Sequence, residues 1–216
     1  MAAFLAVLAS AGGLGAETFV SRGVEFSDEL GGFRLLGVTG QGTKYDPFIV
    51  AEEMLGPGTA VLVIRGLGGL THQGFTTPAQ GFRIRKVVLN GTGRAWRQFD
   101  LELREILDEP SSYADGLSFD QVQIVERPFT SDRFIFSNEL REPYDGVQFS
   151  GGVVPAGDVV SFNFAITDPT PIPEFYLMQT ASGPVAAIPG VPDLQVARVR
   201  QHTDVEVPPG SRPGTR

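Results

Sequence analysis

Residues 81–107, GFRIRKVVLNGTGRAWRQFDLELREIL, hold the pattern that most narrows what this chain can fold into. Phe82, Ile84 and Val88 share one face of an extended segment, and Arg83 and Arg85 share the other. After Asn90-Gly91-Thr92-Gly93 the alternation resumes: Phe99, Leu101 and Leu103 interleave with Asp100, Glu102 and Arg104. Side chains of a strand point to opposite faces in turn, so a period of two marks a strand with one buried and one wet face. Asn-Gly between two such runs predicts a hairpin, because both residues tolerate positive φ. The single tryptophan, Trp96, enters the second strand, where a large ring can close the end of a core.

The same period recurs along the chain. Short strands are expected near residues 18–21, 24–27, 33–39, 48–54 and 60–65. The run AVLVI at 60–64 is apolar on both faces and predicts a central strand covered on both sides. Segments 48–54 and 60–65 flank Gly56-Pro57-Gly58 and read as a second hairpin. A third spans residues 144–166: Val147 and Phe149 point one way, Pro155-Ala156-Gly157 suits a turn with positive φ at Gly157, and Val160, Phe162, Phe164 and Ile166 line one face. Further strands are expected at 117–125, 133–137 and 174–179. The 27 glycines and 16 prolines supply many turns and few helices. The expected fold is therefore an all-β, antiparallel β-sandwich of roughly nine to eleven strands, in one domain over residues 17–183.

Both ends differ from this body. Residues 1–16, MAAFLAVLASAGGLGA, are apolar and then small, as in a secretory signal peptide, which places the mature protein in a secreted or periplasmic setting. Residues 184–216 are rich in Pro, Gly and charge and predict a disordered tail with no stable membrane span. The net charge of −8 disfavours a nucleic-acid partner. The absence of cysteine removes disulfides, thiolate metal sites and cysteine nucleophiles.

Chemistry is sparse. His72 lies in a glycine-rich loop and His202 in the tail, with no G-x-S-x-G around any serine, so a Ser-His-Asp triad is not predicted. Glu102 and Glu105 lie close together, but a glycosidase needs two carboxylates facing each other, and Glu102 falls on a wet face. The loop DEPSSYADGLSFD offers Asp108, Glu109, Asp115 and Asp120 as candidate calcium ligands, since calcium takes hard oxygen donors. Trp96 and Tyr113 are the candidate aromatic contacts for a sugar.

The segments VVLNGTGRAWRQFDLEL, DGLSFD and GGVVPAGDVVSFNF carry a resemblance. They resemble a recurring pattern of exported bacterial β-sandwich proteins of unknown activity, many of which end in a PEP-CTERM-type sorting tail. The resemblance covers residues 87–179 and implies fold rather than chemistry. The hydrophobic span of such a tail is not present after Gln179. The expected role is a non-enzymatic exported domain with a structural or binding function, toward an extracellular glycan or protein. A calcium-dependent carbohydrate-binding module is the first alternative, and a carboxylate-based hydrolase the second.

Overall fold

The computed structural model describes residues 15–66, 80–120, 129–169 and 172–183. The expected signal peptide, the tail, and both histidines lie outside the described residues, apart from Gly15, Ala16 and the start of the body. Among the described residues there are thirteen strands and no helix, so no helix there is long and apolar enough to cross a membrane. The strands are β1 (Thr18–Ser21), β2 (Val24–Ser27), β3 (Phe33–Thr39), β4 (Phe48–Met54), β5 (Ala60–Arg65), β6 (Gln80–Asn90) and β7 (Trp96–Arg104). They continue with β8 (Ser118–Phe119), β9 (Thr130–Ser131), β10 (Phe136–Leu140), β11 (Gly146–Val154), β12 (Val159–Asp168) and β13 (Glu174–Ser182).

They form two sheets. One has seven strands in the order β1-β2-β5-β13-β7-β11-β10; the other has six, β3-β4-β6-β12-β8, with β9 also on β12. Both sheets face one apolar core. Phenylalanine rings close it across the gap: Phe26 meets Phe48 edge-on at 5.3 Å, and Phe99 stacks on Phe162 at 4.5 Å. Every inward residue expected from the alternation in β6, β7 and β12 is buried, which is the fold-level content of a period of two. The apolar run of β5 is interior to its sheet and buried on both faces through Ile64.

Several expectations change. The fold is all-β and sandwich-like, but it has more strands than expected, and β4 pairs parallel to β6. The segment expected as a strand at 133–137 instead starts at Phe136, and only Ser118–Phe119 of the 117–125 run is a described strand. More consequentially, none of the three expected hairpins is one. The strands β4 and β5, β6 and β7, and β11 and β12 each lie in different sheets. The alternation reports that a strand has one buried face, not which strand shares its hydrogen bonds. A link of residues 91–95 is long enough to cross the roughly 10 Å between packed sheets. The strands that do pair as sequence neighbours are β1 with β2, β3 with β4, and β10 with β11.

Local chemistry explains the crossing at residues 91–95. Neither Asn90 nor Gly91 has the positive φ of a tight hairpin turn; only Gly93 does, at 73°. Instead the Asn90 carboxamide oxygen accepts the Thr92 N–H at 3.2 Å and the Thr92 hydroxyl at 2.7 Å, an Asx-type turn. The Asn90 Nδ2 donates to the carbonyls of Arg94 (2.7 Å), Val154 (3.0 Å) and Pro155 (3.0 Å). Its backbone accepts from Gly157 N–H and donates to the Asp158 carbonyl. One buried asparagine thus ties the β6–β7 crossing to the β11–β12 crossing. Gly91 is required by space: a Cβ there would stand 2.7 Å from both a Glu53 oxygen and the Met54 carbonyl.

Candidate functional site

The core contains a polar group that the alternation alone should have flagged. On β4 the inward residues are Phe48, Val50, Glu52 and Met54; on β6 they are Phe82, Ile84, Lys86 and Val88; on β13 they are Phe175, Leu177, Gln179 and Ala181. Glu52, Lys86 and Gln179 are 1%, 0% and 0% exposed. The parallel register sets Val50 beside Lys86 and Glu52 beside Val88, so the two charges meet diagonally on one sheet. The antiparallel pairing of β13 with β7 brings Gln179 in from the other sheet. The Lys86 Nζ donates to Glu52 Oε2 at 2.5 Å, and the Gln179 Nε2 donates to the same oxygen at 3.4 Å. The ammonium also lies 5.9 Å from the centre of the Phe33 ring.

This cluster is incompletely satisfied. Glu52 Oε1 and Gln179 Oε1 are buried without a hydrogen-bond partner among the described residues. Burial pushes the Glu52 carboxyl above its usual range and the Lys86 amine below its own, while the charge of each partner works against the shift. The signal was available in the sequence: a charge at an inward position of two separate alternating runs.

The residues expected to carry function are placed elsewhere. Trp96 is 2% exposed, and its indole N–H donates to the Thr92 hydroxyl at 3.0 Å. It is a core residue and offers no surface platform: its ring packs against Phe99 although it lies out of step with the inward Phe99, Leu101 and Leu103, next to a register shift in the β7–β11 pairing. Tyr113 is half-buried, with the Arg141 guanidinium 4.3 Å over its ring. Asp108, Glu109 and Asp115 are exposed, and Asp120 is half-buried with a φ of 48°. Among the described residues no three His, Asp or Glu side chains are arranged to hold a metal ion. Asp115 does, however, sit near other acids. Burial, with the charges of Asp115 and Asp168 behind it, pushes the Glu105 carboxyl up.

Asp145, just ahead of β11, is fully buried. Its Oδ2 accepts the Phe119 N–H at 3.0 Å, while Oδ1 has no partner among the described residues. Burial pushes its carboxyl up to about 7. Local spacing could not have found it, because the residues it faces are distant in the chain.

The outer face of the seven-stranded sheet carries an open groove of about 340 Å³. Strand β7 supplies Gln98, Asp100, Glu102 and Arg104; β11 supplies Gln148; Met178 and Thr180 come from β13. Their polar ends are held by one another. The Gln98 amide donates to both oxygens of Asp100, and Arg104 Nε donates to Glu102 at 2.7 Å. Glu102 thus lies on the wet face expected of it, with a cation rather than a second carboxylate as its partner.

No protein-family model, curated protein or solved structure matches this chain.

Proposed function

We propose that the protein is an exported, non-enzymatic β-sandwich domain whose role is binding, with a polar ligand such as an extracellular glycan held in the groove of the seven-stranded sheet. The observation that carries this reading is the groove's lining: amide, carboxylate, guanidinium and hydroxyl groups on sheet strands, with Met178 among its apolar members. Fixed donors and acceptors around a small apolar contact suit a polyhydroxylated ligand, because a preorganised site spends little on ordering its own side chains. The test is a glycan array with the wild-type protein and with Gln148→Ala and Asp100→Ala, each run with and without calcium. A glycan bound by wild type and lost in both variants supports the groove. A glycan bound equally by all three proteins places the site elsewhere. Binding that needs calcium favours the calcium-dependent alternative, with Asp115 and its acidic neighbours as the place to look for ligands.

A further inference from the structure

The geometry points to an internal amide cross-link between the Lys86 side chain on one sheet and the Gln179 side chain on the other, formed spontaneously in the folded core with Glu52 as the proton carrier. Three observations meet here. First, amine, carboxyl and carboxamide share one contact point, Glu52 Oε2. Second, all three side chains are sealed from solvent among apolar neighbours, so water neither competes with the amine nor hydrolyses the product. Third, the free groups leave two buried oxygens without a partner among the described residues, an arrangement that a core does not usually tolerate.

The steps balance without any outside reagent. A proton passes from the Lys86 ammonium to Glu52, which leaves a neutral amine and a neutral carboxyl; burial of both groups, which disfavours each charge, eases this transfer. The Lys86 Nζ lone pair attacks the Gln179 carboxamide carbon, Cδ, while the Glu52 carboxyl gives its proton to the carboxamide oxygen. Glu52, now a carboxylate, takes a proton from Nζ and delivers one to Nε2. The Nζ–Cδ bond is then complete; the Cδ–Nε2 bond breaks, ammonia leaves, and the proton on the former carboxamide oxygen passes to the Glu52 carboxylate as the C=O double bond re-forms. The product is a neutral secondary amide, and Glu52 ends as the neutral carboxyl formed in the first step. No oxidation state changes. The bond would join β6 to β13, and so fasten the two sheets covalently in a chain that has no cysteine.

Proteolysis and mass spectrometry of the purified full chain decide the matter. The expected result is a branched peptide joining the Lys86 segment to the Gln179 segment, lighter than the two together by one ammonia, with trypsin unable to cut after Lys86. Glu52→Gln keeps the volume but cannot carry the proton, and is expected to yield the two peptides unjoined. Separate, unmodified peptides from wild-type protein overturn the proposal, whatever the variant does. A peptide lighter by one water and joining Lys86 to Glu52 also overturns it. Full cross-linking in Glu52→Gln overturns the role given to Glu52. The wild-type measurement stands even if that variant fails to fold.

Discussion

Asn90 and the Glu52–Lys86–Gln179 cluster are both polar, both buried, and both built on the inward face of β6, yet their hydrogen bonding differs completely. Asn90 uses its side-chain oxygen, its side-chain amide and both backbone groups, and each partner is a turn residue of one of two sheet crossings. Around Lys86, four residues earlier on β6, Glu52 and Gln179 each keep an oxygen without a hydrogen-bond partner among the described residues. A fully satisfied polar group stabilises and specifies a turn. A half-satisfied one costs free energy in the state observed, and so singles out a place where a proton or a covalent bond has more to gain. Asp145 stands between the two cases, with one oxygen bonded and one not.

Substitutions can break or sharpen this contrast. The largest effect is expected from Lys86→Met, which leaves Glu52 without its cation in the core. Breaking one side of a buried pair costs about 3–5 kcal/mol, and chemical denaturation would show a midpoint well below wild type. A harmless Lys86→Met would mean that the cluster carries no strain to relieve.

Asp145→Asn comes next, and its effect depends on pH. The folded carboxyl titrates at about 7 against an ordinary value of 3.8. The folded state therefore binds the extra proton between these values, and stability falls as pH rises from about 4 to about 7. The full pH-linked change is on the order of 4 kcal/mol. Asparagine keeps an acceptor for the Phe119 N–H but cannot ionise, so melting curves of the variant should lose this decline and lie above wild type at pH 8. The same decline in the variant would assign it to other groups.

The smallest of the three is Asn90→Ala. It orphans the buried Val154 carbonyl, at about 1–3 kcal/mol, and the part-buried carbonyls of Arg94 and Pro155 at less, because water can reach them. Thermal melts would register the loss. A neutral outcome would show that backbone bonds alone hold the two crossings.

How much of this was legible beforehand differs by level. The period of two located the strands and the side of each that faces inward, because that depends only on backbone geometry and on the cost of exposing apolar side chains. It placed Phe99 and Phe162 on the apolar faces of their strands, and the two rings stack in the core. It could also have found Lys86 and Glu52, each a charge in an apolar register. The partner of each strand was beyond it. Residues 91–95 carry a hairpin's composition, but Asn90 spends its bonds on Val154 and Pro155, more than sixty residues away, and turns the chain into the other sheet. Likewise no local pattern links Gln179 to Glu52, whose contact spans 127 residues. The sequence alone determined which faces are apolar, because that is a property of each segment. Only the tertiary structure decided which faces meet and which polar groups are sealed together, because burial and pairing are properties of two segments at once.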